Sequence, residues 1–418
     1  MGADVLIVGA GAAGLSAASE LAKAGVATRL VEARSRSGGR IHTLSQLNSA
    51  PIELGAEFMH GRAPELEQLS RRHHLAFRAV PDTHWRIERG RFVPLEDFWG
   101  KLAKVFERLP PKGPDKSYCE FLKQARTAPV ESRELATDFV EGFHAGEPER
   151  ISSVSIAQSE AAAEEVDGTR QFRFVAGYGE LVRAMQAGAR SREVRFDFGH
   201  AVTRIEWKPQ RVLVSARHGD DVRQFEASKL LVTLPLGVLQ SNAVQFDPPL
   251  FQKEEAIRNL AVGNVIKVNL QLRPGLWPDD KDGFIHLASG HFPTWWKHHG
   301  VITAWAGGPK ADELAKHSSI EIIQLIGESL GHMFGVSVHD ARSHVESVQF
   351  HDWRKDPFAR GAYSYVPVGA ANAGRILARP IEQTLFFAGE ATAQPGFQGT
   401  VHGAIESGLR AARETLKA

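Results

Sequence analysis

The chain has 418 residues, too many for one simple core, and its 43% hydrophobic and 24% charged content is that of a soluble globular protein folding as two domains. A net charge of +1, from 50 basic and 49 acidic residues, gives no reason to expect nucleic acid or another polyanion as a partner. A single cysteine, Cys119, excludes an intrachain disulfide framework and favours a reducing cytoplasm, and no apolar run approaches the roughly 18 to 20 residues of a membrane span.

The first element, "DVLIVG", is an apolar run of the kind buried in a parallel sheet, and it is too short for a signal peptide. Gly9, Gly11 and Gly14 follow in G-x-G-x-x-G spacing and open a helix over 12–24 that includes Ala13. The first glycine permits the tight turn, the second lets a pyrophosphate approach the backbone, and the third lets helix and strand pack closely. A second strand, "ATRLVE", ends in Glu32, where a carboxylate accepts from the adenosine ribose and repels a 2′-phosphate; Ala33 and Arg34 follow on the same edge. This pattern predicts dinucleotide binding without separating NAD from FAD. In "EARSRSGGRIHT", Gly39 and Arg40 form a second element directed at the same pyrophosphate; the plainer alternative is a solvated turn and a surface arginine.

Residues 79–169 open with a hairpin, "HWRIERGRFVPL", turning at Arg89–Gly90, and become mainly helical; "LPPKGPDK" reads as an exposed connection. In "VIKVNLQL", strict alternation sets Val265, Lys267, Asn269 and Gln271 on one face and Ile266, Val268, Leu270 and Leu272 on the other, so the pattern alone makes Lys267 a solvent-facing lysine. Two helices follow near 310–316 and 319–333. The pairs His73–His74 and His298–His299 have no metal-ligand spacing and read as tandem surface histidines. The chain closes with "FFAGEATAQPGFQGTVHGAIESGLRAARE": a buried strand, a glycine-rich turn, and a helix from about Val401 studded with small residues.

From the "SGGR" element onward, the sequence resembles the flavin-dependent amine oxidase family: monoamine oxidases, polyamine oxidases and lysine-specific histone demethylases. The ordered series "IELGAEFMHG", "FVAGYGELVRAM", "AVTRIEW", "LLVTLPLGVLQ", "FDPPL", "VGNVIKVNLQL", "WRKDPFARGAYSYV" and the closing stretch carries the likeness over almost the whole chain. The resemblance implies an α/β fold: a discontinuous Rossmann-like FAD-binding domain of the glutathione-reductase type (1–78, 170–245 and 380–418) with an α+β substrate domain (79–169 and 246–379).

It implies that Gly55 and Ala56 lie along the flavin ring, Val202 near the adenine, Trp353 beside the ring, and Gly389 and Glu390 near the ribityl phosphate. Gly399, Thr400 and Val401 open the terminal helix at the pyrimidine edge, where a helix N-terminus stabilises an anion by about 0.3–1 kcal/mol. Lys267 becomes the lysine that holds a water against flavin N5 and assists dioxygen reduction, and Tyr363 becomes one wall of the amine cage. The flavin-linking cysteine of the monoamine oxidases falls at Ala362 and their second cage tyrosine at Thr400, so FAD is expected to be noncovalent and the cage half open. His60 resembles a histidine near the substrate amine, and Glu57 offers a carboxylate to a cationic substrate; for both, the plain alternative is a loop residue partnered by backbone or solvent.

The activity implied is oxidation of a primary or secondary amine to an imine with dioxygen reduced to hydrogen peroxide; the alternatives are an L-amino-acid oxidase-like enzyme, an amine dehydrogenase with another acceptor, or a flavin-binding regulatory protein. Partners are a small amine and dioxygen, with no nucleic acid and no membrane, and the oligomeric state is left open between monomer and homodimer.

Overall fold

The computed structural model describes residues 3–45 and 50–418. The opening apolar run forms the strand Ala3–Val8, with Val5 through Val8 buried, as a strand covered on both faces requires. It lies inside an eight-stranded sheet. Parallel to it on one side is Thr28–Val31 and beyond that Arg195–Asp197; on the other side is Asp221–Val232, which also pairs in parallel with Leu385–Phe387. Asp221–Val232 continues antiparallel through Arg211–His218 to Ala201–Lys208, and Gln245–Asp247 closes that edge. Strands from the start, middle and end of the chain thus share one sheet.

The first helix, Ala12–Lys23, packs along the last, Val401–Lys417. The small residues read from the closing stretch explain the contact. A Cβ added at Gly408 would lie 2.2 Å from the carbonyl oxygen of Ala13 and 2.4 Å from Ser16 Oγ, and that hydroxyl donates across the interface to the carbonyl of Ile405 at 3.1 Å.

A second, seven-stranded sheet runs in the order Val345–Phe350, Val265–Leu272, Val301–Gly307, Thr294–His298, Gly283–His286, His84–Glu88, Arg91–Pro94. The last two strands are the hairpin of the sequence reading, with Arg89 and Gly90 both at positive φ, as a two-residue turn of this kind demands. Ile266, Val268 and Leu270 pack into a core with Ile322, Ile326 and Leu330 of the helix Ser319–Phe334, which a Ser318–Glu321 capping box starts and Gly335 ends. The expected helix near 310 is Gly308–Leu314, and Pro111 to Pro114 of "LPPKGPDK" form an exposed link before Tyr118–Gln124, the helix that carries Cys119.

The strand that carries Lys267 departs from the expectation of a solvent-facing lysine. Its alternation is intact, but Lys267 is 2% exposed and Asn269 1%, because the polar face looks into the molecule, toward residues 53–57 and a cavity. Among the described residues no helix is long and apolar enough to cross a membrane.

The helix contact yields a direct expectation. Gly408→Val places branched carbons against the Ala13 backbone and should lower the unfolding free energy by about 1–3 kcal/mol, measured by urea denaturation, whereas a neutral result would mean that the two helices are not held at this distance.

Candidate active site

One cavity of about 600 Å³ extends from the N-terminus of the first helix to the second sheet. At the helix end, Gly9 turns the chain at φ +104°, and a Cβ on Gly14 would sit 2.0 Å from the Gly9 carbonyl oxygen, so the strand–helix approach requires glycine there. Gly11 is the N-cap and contributes no side-chain cap, and no acidic residue occupies the first turn. A Cβ added at Gly11 would meet nothing within 4 Å. The second turn is stitched to the first by Gly38 N–H donating to the carbonyl of Ala10 at 2.8 Å, and a Cβ on Gly39 would come within 3.5 Å of Gly11 Cα.

Glu32 is buried at the strand end, its carboxylate accepting from the N–H groups of Ala10 (2.7 Å) and Arg34 (2.9 Å). Ala33, Arg34 and Val202 line the same end, and Arg34 donates to Asp356 at 2.6 Å. Arg40 also lines the cavity; its Nη1 donates to Glu390 Oε1 at 2.9 Å and to the carbonyl of Ala362 at 2.7 Å, which orients the guanidinium. The Glu390 carboxylate also takes the Ser364 hydroxyl (2.6 Å) and the Gly399 N–H (3.0 Å), so protein donors hold it as part of the wall.

In the middle of the cavity, Gly55 and Ala56 present bare backbone. A Cβ on Gly55 would lie 1.9 Å from the Arg40 carbonyl oxygen and 3.1 Å from the Trp353 ring, whose Nε1 donates to the carbonyl of Leu54 at 2.9 Å. The terminal-helix entrance stands beside Gly389, Gly399 and Val401, all lining the cavity. An elongated cradle with unpartnered helix N–H groups at one end and glycine backbone at its centre fits a dinucleotide with a planar ring.

Lys267 of the second sheet, Tyr363, His60 and Thr400 all line the cavity. The Tyr363 hydroxyl donates to the carbonyl of Phe143 at 2.8 Å, and burial raises it above the ordinary phenol range. Burial pushes His60 down to about 4, and its ring meets Phe143 edge-on at 5.1 Å. Thr400 lines the cavity at the position where the second cage tyrosine falls. Its hydroxyl accepts from Gly403 N–H (3.0 Å) and donates to the carbonyl of Phe397 (2.8 Å), so it caps the terminal helix. Ala362 lines the cavity where a linking cysteine was weighed, and Cys119 does not. His298 also departs from the surface reading: it is half-buried, with His299 exposed beside it.

Glu57 is the largest departure. In place of an open carboxylate for a cationic substrate, it is enclosed between two cations: Lys267 Nζ lies 2.5 Å from Oε2, and Arg173 Nε donates to Oε1 at 2.7 Å. Trp296 Nε1 donates to the same Oε1 at 3.0 Å, and Lys267 also donates to the carbonyl of Gly55 at 3.2 Å. Burial pushes the Glu57 carboxyl up, but Lys267 and Arg173 overcome that and hold it at about 2. The sequence reading missed Arg173. Arg173 is a lone charge inside the apolar strand Gln171–Phe174, and period-two alternation in "TWWKH" separates Trp295, buried in the far core, from Trp296, facing the cavity.

Comparison with known proteins gives one consistent result. A family model described as flavin containing amine oxidoreductase matches residues 12–416. A lysine-specific histone demethylase 1 homolog from Oryza sativa subsp. japonica is 29% identical over 99% of this chain and 52% of its own length. Polyamine oxidase 4 from the same plant is 27% identical over 99% of this chain and 88% of its own. The chain spans about half the length of the demethylases it matches. In fold it is similar to a putrescine oxidase bound to putrescine (TM-score 0.84, 22% identity, all of both chains). It is also similar to cyclohexylamine oxidase from Brevibacterium oxydans IH-35A (TM-score 0.80, 21% identity, 100% of this chain and 99% of that one).

The Glu57 cluster makes a testable statement about stability. Glu57→Gln leaves two buried cations without their counter-charge and should cost about 3–5 kcal/mol at neutral pH. Because the folded carboxyl is held below its ordinary 4.5, the stabilisation is complete above about pH 4.5 and is lost as pH falls toward 2. Chemical denaturation at a series of pH values should therefore show a gap between the two proteins that is constant down to about 4.5 and closes below it. A gap independent of pH would contradict the ion pairing.

Proposed function

The chain belongs to the flavin-containing amine oxidoreductase family, and on that premise we propose that it is an FAD-dependent amine oxidase acting on a small primary or secondary amine. The observation that carries the reading is the single cavity that joins a glycine-lined helix entrance to Lys267, Trp353 and Tyr363.

In this reading the open N–H groups at the start of Ala12–Lys23 would receive the pyrophosphate, Glu32 would take the ribose, and Gly55, Ala56 and Trp353 would hold the ring. FAD, when bound, would supply the two-electron acceptor and the outlet for electrons to dioxygen. With Ala362 in place of a thiol, FAD is held noncovalently. The amine lies beside Tyr363 and loses two electrons and two protons across its C–N bond to become an imine, which water hydrolyses after release. Dioxygen takes the same two electrons and two protons to give hydrogen peroxide.

The aromatic, enclosed walls favour the neutral amine over the ammonium, and His60, held neutral by burial, adds no opposing charge, so no strong protein base is needed. The Lys267 ammonium, steadied by Glu57, provides fixed positive charge where negative charge develops on oxygen. An amino-acid substrate would call for an arginine free to take its carboxylate; Arg173, buried behind this end, is already bound to Glu57. The compartment taken is the cytoplasm, on the strength of the lone cysteine.

Purified protein supplied with FAD should be yellow, release its flavin on acid precipitation, and bleach anaerobically with amines. Lys267→Met should slow reoxidation by air on the order of 100-fold while reduction changes little, followed by stopped-flow absorbance. Equal slowing of both half-reactions would remove Lys267 from the oxygen step, and failure of every amine to bleach a yellow protein would overturn the function.

A further inference from the structure

The segment 351–361, between the second sheet and the strand Tyr363–Tyr365, reaches the cavity at two places. Trp353 stands by Gly55, whereas Pro357 and Phe358 line the cavity farther on, with the Phe358 ring beside Arg34. The turns of the segment are closed by its own polar groups. Asp352 Oδ1 accepts from the N–H groups of Arg354 and Lys355 at 3.1 and 3.2 Å, and the carbonyls of Asp356 and Trp353 take the N–H groups of Arg360 and Gly361, both at 2.9 Å. From 353 to 360 only Trp353, Asp356 and Ala359 are buried. A loop with so few apolar anchors takes its place from its polar ones.

Asp356 is the polar anchor. Its Oδ1 accepts from Arg34 Nη2 at 2.6 Å and from the Phe358 N–H at 2.8 Å, and its Oδ2 accepts from His351 Nε2 at 2.7 Å. Burial pushes the carboxyl up, but the bonds from His351 and Arg34 outweigh that and hold it well below the ordinary carboxylate range, so it stays an anion. Arg34 belongs to the nucleotide end: its Nη1 is 4.0 Å from Glu32 Oε1, and its guanidinium lies 5.4 Å from the centre of the Phe358 ring. His351 belongs to the other end, its ring meeting the Trp353 indole at 4.2 Å and 61°.

A continuous series of contacts therefore joins the two halves of the cradle, from Arg34 to Asp356, from Asp356 to His351, and from His351 to Trp353. Its charge-assisted bonds are of the strong kind, and packed, hydrogen-bonded series of this sort are what carry coupling between separate sites. Neither Asp356 nor His351 lines the cavity, so both act through Arg34 and Trp353.

We propose that Asp356 is a positioning residue that couples the two ends of the cofactor cradle: filling the nucleotide end at Arg34 fixes the Trp353 wall at the ring end, and the reverse. The proposal rests on FAD being the cofactor and adds how its two halves are bound together.

The test uses the full-length protein freed of flavin and two probes that divide FAD between them. Riboflavin carries the ring, and ADP carries the adenosine and both phosphates. Riboflavin binding is followed by its fluorescence with and without saturating ADP. In the wild type ADP should tighten riboflavin about five- to thirtyfold, and riboflavin should tighten ADP by the same factor. Asp356→Asn should bring that factor to about one and weaken FAD by at least as much. A merely structural residue would weaken both probes and leave the factor unchanged. His351→Phe keeps a ring against Trp353 and removes the bond to the carboxylate; it should lower the factor while ADP alone binds as in the wild type, and it decides the matter if Asp356→Asn does not fold. Independent binding of the two probes to the wild type, or a full ADP effect in either variant, overturns the coupling, while FAD that colours the protein and amines that bleach it still uphold amine oxidation. A protein that binds neither riboflavin nor FAD overturns both.

Discussion

The Glu57 carboxylate is enclosed between two cations at the junction of three chain segments, and the geometry of the reacting end follows from it. Its own loop continues from Gly55 and Ala56, Arg173 comes from the strand Gln171–Phe174, and Lys267 from the middle of the second sheet. An isolated ion in this setting would be far too costly, and a buried pair set against a well-packed apolar substitute returns little net stability. What the arrangement supplies is position. One short ion pair and the hydrogen bond to the Gly55 carbonyl set where the Lys267 ammonium sits relative to the bare backbone at 55–56, and Trp296 closes the fourth side. Lys267 and Arg173 thus face one carboxylate of this loop, Glu57.

A second constraint brings the two ends of the chain together. The strand Leu385–Phe387 enters the sheet beside Asp221–Val232, and the terminal helix lies along the first, so both glycine-rich entrances open on one cavity. Arg40 and Glu390 tie the entrances across 350 residues of sequence. The two helix starts are not equivalent. Gly11 gives the first no cap and leaves its N–H groups to a ligand, whereas Thr400 satisfies one N–H of the last. An open helix start suits a strong anionic charge better than a capped one does.

The cavity-facing side of the second sheet combines these two ideas along one surface. A row of directly paired residues runs from Lys267 through Trp305 and Thr294 to His286, so the separation of its two ends is set by strand spacing. The hairpin His84–Pro94 extends the same sheet, which is how His84 comes within hydrogen-bond reach of a histidine 202 positions later in the chain.

The opening strand, the glycine spacing and Glu32 were legible from sequence because each depends on contacts within about thirty residues, where spacing alone fixes geometry. The final glycine-rich turn and its small-residue helix were legible for the same reason. Lys267 was not legible from pattern, since period-two alternation tells which residues share a face but not what covers that face; here the polar side meets the interior, and a residue patterned for water is 2% exposed. Glu57, Arg173 and Trp296 lie on three segments up to 239 positions apart, so only folding reveals that one carboxylate serves two cations and an indole. Thr400 matched a cage position in sequence, yet its hydroxyl is claimed by the helix it starts. The sequence by itself determined the local nucleotide cradle and the alternation of the strands; the tertiary structure decided which charges are paired and which acceptors face the cavity, because burial and long-range register are properties of the assembled chain.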